Sequence, residues 1–405
     1  LIPKTSNVNI VKVDFNNSSK AFVKKTNSEL YKSLWLFRLM KFPLLVKIFS
    51  GATIIFLKSK VPIKTIIRKT IFQQFCGGEN LAETQKIVVG LKQSNIGSIL
   101  DYSVESKNNS LDFERTKTEI IEVIKLAQGN PAIPYTSLKL SGIISSHALE
   151  KLSTHQRLTL QEKGEYEMGT ERLEEICNEA YNRNVPIYFD AEESWIQEPI
   201  DRLAEDMMRK FNSKKAIILT TLQMYRIDRI NYLKLLLRIA KDEDFYIGIK
   251  LVRGAYMEKE NLRAAQLGYT SPIQTSKNET DEDFDKAITI CLENIPRVTL
   301  CAGTHNEAST IHLLNEMSRL GIPNDSENVY FSQLYGMSDH ITYNLANANY
   351  NVTKYLPYGP IESVIPYLIR RAQENTAIAG QMGRELHLIT KERSRRAEQY
   401  LLKNS

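Results

Sequence analysis

The chain of 405 residues is 42% hydrophobic and 25% charged, a composition that suits one large domain with an appendage, or two ordinary domains, and excludes a disordered chain. Cys76, Cys177, Cys291 and Cys301 stand far apart with no C-x-x-C pair, which argues against a disulfide framework or a zinc cluster and makes a reducing compartment the default. The net charge of +6 is unevenly held, because residues 1 to 70 carry 14 Lys/Arg against only Asp14 and Glu29, about +12, leaving about −6 for the rest. The basic character therefore belongs to an N-terminal arm.

That arm contains LWLFRLMKFPLLVKIFSGATIIFLKSKVPIKTIIRK, apolar runs broken by Arg38, Lys41, Lys47, Lys58 and Lys60. Its longest uncharged run, Ile48 to Leu57, is too short to span a bilayer, which needs ~20 apolar residues. Cations flanking aromatic and aliphatic side chains suit a segment lying on an anionic membrane face. A basic helix packed on the domain explains the pattern equally well. Removing residues 1 to about 60 is expected to weaken membrane contact more than turnover. Leu1 stands where an initiator Met would, so a fragment or processed form is expected, and a targeting peptide could have preceded it.

From about residue 96, short β-rich runs alternate with longer amphipathic ones. The predicted strands are SILDYSV (98–104), YTSLKLS (135–141), VPIYFDAE (185–192), KAIILTTLQMY (215–225), FYIGIKLVRG (245–254), RVTLCAGTHN (297–306), NVYFSQLYGM (328–337) and VTKYLPYG (352–359). Eight β-α units over roughly 280 residues point to an α/β fold, a distorted (β/α)8 TIM-like barrel with an N-terminal helical arm. A doubly wound sheet gives a similar alternation but usually brings a Gly-rich turn after its first strand; the chain has no G-x-G-x-x-G, and CGGEN (76–80) precedes the first strand. The expected division is an arm over 1–95, a catalytic barrel over 96–382 and a helical tail over 383–405.

In a barrel, functional residues gather where the strands end at their C-terminal side. Most of the runs close on such residues: Lys139, Asp190 with Glu192, Gln223, Lys250 with Arg253 and Gly254, Thr304-His305-Asn306, and Tyr355. Arg370 and Arg371 sit between Pro366, Tyr367, Leu368, Ile369 and Ala372. An Arg-Arg pair is most often a solvated helix face, but these neighbours leave little of one. Glu374 is spaced to neutralise one guanidinium, and a ligand anion would complete the other. Guanidinium forks suit a carboxylate, with Lys139 as a third cation unless it simply reaches solvent. FDAEE (189–193) resembles a metal-ligating cluster, yet no His lies nearby and none shows ligand spacing. Asp190 therefore reads as a carboxylate holding a cation in place, or as a helix cap. THNEAST (304–310) precedes a helix start whose N–H groups suit an anion, with capping by Asn306 or Ser309 as the alternative.

At IKLVRGAYMEKE (249–260), QLYGMSD (333–339) and YLPYGPIESVIPYLIRRAQEN (355–375), with CGGEN, SILDYSVES, LKLSG and FDAEES in the same order, the chain resembles the proline dehydrogenase family. The resemblance covers roughly residues 70 to 380. It implies a flavoenzyme of proline catabolism that holds FAD at the strand C-termini and oxidises L-proline to Δ1-pyrroline-5-carboxylate, with hydride passing from C5 to FAD N5 and electrons on to a membrane quinone. It also implies a mitochondrial, peripheral place on the matrix side of the inner membrane, which suits the basic arm, and neither a nucleic-acid partner nor a bound metal. By the same resemblance Arg370, Arg371 and Lys139 clamp the substrate carboxylate, and Tyr355 and Tyr367 line the ring, with Tyr355 placed at the end of the eighth strand. Asp190 belongs to the catalytic charge network. Ala191, Gln223, Arg253, Gly254, Ala255, Thr304 and His305 contact FAD. Lys250 stands where many bacterial relatives have Arg, as a catalytic and flavin-side residue without the planar fork. A barrel hydrolase and a silent, membrane-bound binding protein are the competing classes.

Overall fold

The computed structural model describes residues 13–40, 65, 67–103, 109–377 and 379–404. The arm's run Ile48 to Leu57 lies outside them, as does the side chain of Glu374. Eight parallel strands, β1 (Ile96–Tyr102), β2 (Tyr135–Leu138), β3 (Ile187–Phe189), β4 (Ile218–Gln223), β5 (Ile247–Val252), β6 (Val298–Gly303), β7 (Val329–Leu334) and β8 (Val352–Tyr358), close into a (β/α)8 barrel in sequence order. Closure is made by β1 against β8, in register from Ile96↔Val352 to Tyr102↔Tyr358. Each predicted run overlaps its strand, but the ends are trimmed. The third is cut shortest, to three residues, and the second stops at Leu138 because Lys139 already begins the 3-10 turn Leu140–Gly142.

These strands are buried on both faces, which is why they read as near-continuous apolar runs in the sequence. Their outward residues join a core shared with the surrounding helices, built from Ile96, Leu100, Ile187, Ile218, Ile249, Leu300, Phe331 and Leu356 among others. The inward residues alternate with them. Ile99, Tyr135, Tyr188, Leu219, Cys301 and Tyr355 form a separate cluster inside the barrel, with the Tyr135 and Tyr188 rings stacked at 4.9 Å. Space there is tight: a Cβ added to Gly248 would sit 2.0 Å from Leu219, its register partner. Two residues further along, in the same parity, comes the layer that forms the mouth.

A second core lies outside the barrel. The helix Asn27–Met40 buries Leu30, Leu34, Phe37 and Met40, the spacing of one helical face. They pack in one cluster with Phe72, Phe75, Val364, Ile365, Leu368, Leu388 and Ile389. The helices Ile361–Ala377 and Ala379–Asn404 are thereby joined to the N-terminal segment. Over residues 27–40 the arm is thus a basic helix packed on the domain, while Tyr31, Trp35 and Leu39 on its other side stay exposed. Within residues 1–60, Ala21, Phe22, Leu30, Leu34, Phe37 and Met40 contribute buried side chains to this core. Among the described residues no helix is long and apolar enough to cross a membrane.

Phe37 is 1% exposed and meets Phe75 edge-on at 6.5 Å. Phe37→Ala is expected to lower stability by ~3–5 kcal/mol, read as a reduced denaturant midpoint with an unchanged slope.

Candidate active site

A cavity of about 630 Å3 opens where the strands end, and the substrate and cofactor candidates from the sequence line it: Lys139, Asp190, Ala191, Gln223, Lys250, Arg253, Gly254, Ala255, Thr304, His305, Tyr355, Tyr367, Arg370 and Arg371. Parity explains how. Asp101 follows Ile99 on β1, Lys139 follows Tyr135 and Ser137, Asp190 follows Tyr188, and Thr221 with Gln223 follows Leu219, so each projects inward above the tyrosine floor. Tyr355 differs from the expectation in place, since it lies in the middle of β8 and not at its end.

Asp190 is the hub. Its carboxylate accepts hydrogen bonds from Lys250 Nζ and the Tyr355 hydroxyl and stands 3.8 Å from Lys139 Nζ. Burial works against the charged form, but Lys250, then Lys139, and the two hydrogen bonds outweigh it and hold the group below the usual carboxylate range. The Tyr355 hydroxyl is pushed well up by burial and by Asp101 and Asp190, so it stays protonated and donates. Asp190 caps nothing: the cap position of the next helix, Ser194–Phe211, is Glu193. Lys250 Nζ also lies 5.0 Å from the Tyr188 ring and 4.9 Å from that of Tyr355, within cation–π range.

Lys139 is neither a solvated strand end nor a loose third cation. Asp101, 2% exposed, accepts from its Nζ at 3.2 Å through both oxygens. Sequence reasoning missed this aspartate, although its parity with Ile99 in SILDY placed it at the mouth. The arginine pair comes from the helix Ile361–Ala377. The Arg371 guanidinium lies 5.2 Å from the Tyr367 ring and that of Arg370 lies 5.4 Å from the ring of Tyr256.

On the β4–β6 side, Gln223 bridges two loops. Its side-chain nitrogen donates to the Glu192 carbonyl at 2.8 Å, and its oxygen accepts from Ala255 N–H at 3.1 Å. Gly254 makes that turn at φ +137°, where a Cβ would also strike the Tyr225 ring. Arg253 is fixed by Asp281 at 2.6 Å, Thr304 at 2.7 Å and Ser309 at 2.8 Å. The helix start after β6 is capped from within, because Asn306 Oδ1 accepts from the N–H groups of Ala308 and Ser309. Of the two readings of this helix start, Asn306 supplies the cap, and Arg253 faces the cavity beside it. His305 is driven down to about 3 by burial, then by Lys354, Arg371, His340 and Arg253, so its ring is neutral near pH 7. Glu307, His340 and Arg384 also line the wall; they meet across 33 and 77 residues of chain, a separation no local pattern reveals.

Glu192 accepts from Ser141 N–H at 2.9 Å and from the Ser141 hydroxyl, tying the turn after Lys139 to the loop after Asp190. Burial raises its carboxyl from 4.5 to about 7 against those hydrogen bonds. A folded-state value above the unfolded one means stability present in full below 4.5 and lost as pH rises to about 7. Glu192→Gln should flatten this part of the pH–stability curve in thermal melts.

A sequence model of a family described as proline dehydrogenase matches residues 84–384. Mitochondrial proline dehydrogenase 1 of Dictyostelium discoideum is 29% identical, over 96% of this chain and 76% of that protein. A hydroxyproline dehydrogenase of Xenopus laevis is 30% identical, over 93% and 88%. The solved structure of proline utilization A from Bdellovibrio bacteriovorus superposes with a TM-score of 0.68 at 20% identity, over 78% of this chain and 34% of that one. This last likeness is one of fold, and the chain spans about a third of that protein's length.

Proposed function

The chain belongs to the proline dehydrogenase family, and on that premise we propose that its cavity holds FAD and oxidises L-proline to Δ1-pyrroline-5-carboxylate, with a membrane quinone as the final acceptor. The observation that carries the reading is the meeting of Lys139, Tyr355, Tyr367, Arg370 and Arg371 with the Asp190–Lys250 pair in one cavity. A volume of about 630 Å3 is of cofactor size. The residues fit a flavin: Ala191, Gly254, Ala255 and Gly303 give a low wall, Gln223, Lys250 and Arg253 set donors around it, and the neutral His305 adds an uncharged ring. Bound there, a flavin supplies the acceptor for the hydride leaving C5 of proline.

The protein's own part is binding and orientation. The forks of Arg370 and Arg371 suit the substrate carboxylate bidentately. Lys139, preset by Asp101, adds positive charge without having to reorganise on binding. Tyr355, anchored to Asp190 through its hydroxyl, presents a fixed ring that limits space at C4 of the substrate. Cations around the ring disfavour the protonated amine, and the neutral amine has the lone pair that stabilises the developing iminium.

The arm supports a peripheral membrane site on the matrix side of the inner mitochondrial membrane. Tyr31, Trp35 and Leu39 are exposed beside Lys32 and Arg38, on a segment that leads into the basic, apolar run 41–64.

The deciding experiment is the absorbance spectrum of purified protein: a flavin spectrum that bleaches on adding proline supports the reading, and protein that stays colourless after incubation with FAD sinks it. Arg371→Met is expected to raise the KM for proline about tenfold to a hundredfold with flavin retained; a native KM would remove the clamp. Tyr355→Ser should open room at C4 and move the kcat/KM ratio toward 4-hydroxyproline, measured by competition.

A further inference from the structure

The cavity wall is tied to chain that lies outside the matched region 84–384. Lys354, 1% exposed, points outward from β8, away from the site. Its ammonium lies 2.9 Å from Asp339 Oδ1, and Asp339 Oδ2 lies 2.9 Å from Lys25 Nζ, which arrives from the N-terminal segment. Asp339 is held well below the usual carboxylate range because these two lysines outweigh its burial. Its neighbour Ser338, fully buried, adopts the left-handed conformation at φ +50°, a conformation that costs a non-glycine residue stability unless its surroundings enforce it. The enforcement is visible: Ser338 N–H donates to the Glu385 carboxylate in the C-terminal helix Ala379–Asn404. Its hydroxyl lies 2.9 Å from His305 Nδ1. A second limb runs alongside, with Asn16 Oδ1 accepting from Arg384 at 2.9 Å and Arg384 donating to Glu307 at 2.6 Å. His305, Glu307 and Arg384 all line the cavity.

We propose that Lys25 is a positioning residue for the cofactor site: through Asp339 and Ser338 it holds His305 in the wall against which the flavin binds. The inference rests on the flavin reading above and assigns to the N-terminal segment a role in building the site. Lys25 is the link to cut. Asp339→Asn would leave the buried Lys354 and the half-buried Lys25 without their shared carboxylate, whereas Lys25→Met leaves Asp339 still joined to Lys354.

The test uses the full chain as apoprotein, titrated with FAD and followed by quenching of flavin fluorescence, with apoprotein melting recorded alongside. Lys24→Met is the control, since that exposed side chain reaches Gln93 at 3.3 Å. Lys25→Met is expected to raise the Kd for FAD about tenfold, and the control to leave it unchanged. Ser338→Ala, which cuts the last link, should raise Kd similarly, and the double variant should show less than the summed effect because both break one path. A Kd unchanged in Lys25→Met with only the melting temperature lowered means a structural role and overturns the inference. Should that variant not fold, Ser338→Ala decides, and a native Kd there overturns it equally. Parent protein that binds no FAD overturns the flavin reading and this inference together; parent that binds FAD as well as Lys25→Met does overturns this inference alone.

Discussion

Everything at the barrel mouth depends on a buried charge balance centred on Asp190. Period-2 alternation on parallel strands forces Asp101, Lys139, Asp190 and Lys250 inward above a floor of tyrosines. Ionised groups there are costly to bury alone and become tolerable when each has an opposite neighbour and a hydrogen bond. Two lysines and two aspartates meet that condition: Asp101 with Lys139, and Asp190 with Lys250 and, more distantly, Lys139. Tyr355 completes the set through its hydroxyl. Because each member is locked by another, the cations keep their positions before any ligand arrives, which is the preorganisation that binding a small zwitterion demands.

The strands were legible because burial on both faces leaves uninterrupted β-branched and aromatic runs, as in KAIILTTLQMY. Most site residues were legible for a related reason: a polar residue closing such a run has no place in an apolar layer, so Lys139, Asp190 and Gln223 stood out. Asp101 did not, since an acid near the end of SILDY also reads as a solvated strand end, and only the parity shared with Ile99 distinguishes the two. The resemblance placed Tyr355 at a strand end, yet β8 runs on to Tyr358 along the edge that closes the barrel against β1. At THNEAST the sequence left an anion site and capping by Asn306 side by side, and the structure shows the cap, with Asn306 Oδ1 on the amides of Ala308 and Ser309, a choice that sequence alone cannot weigh. The arm showed its charge but not its packing, although Leu30, Leu34 and Phe37 already have helical spacing.

Two cores divide the work. The barrel fixes the lysines and aspartates: Asp101 and Lys250 sit in paired strands, and Lys139 and Asp190 directly follow β2 and β3. Arg370 and Arg371 belong to a helix whose apolar face, Ile361, Val364, Ile365 and Leu368, packs in the second core with Leu30, Leu34 and Phe37 from the N-terminal helix and Leu388 and Ile389 from the C-terminal one. The guanidiniums are thus aimed from outside the barrel, by chain segments far apart in sequence.

That division gives the site a rigid half and an adjustable one. A closed sheet of parallel strands moves little without breaking its ladder, whereas a helix resting on other helices can shift by small sliding motions at modest cost. The Arg370 and Arg371 forks are mounted on the adjustable half and the Asp190 network on the rigid one, so a change in helix packing moves the arginines while leaving the charge balance at the barrel mouth intact. The N-terminal segment touches both ends of the arrangement, through Phe37 in the second core and through Lys25 in the wall that contains His305. A region distinguished in the sequence mainly by its charge therefore bears on where the arginines point and on how the cavity wall is held.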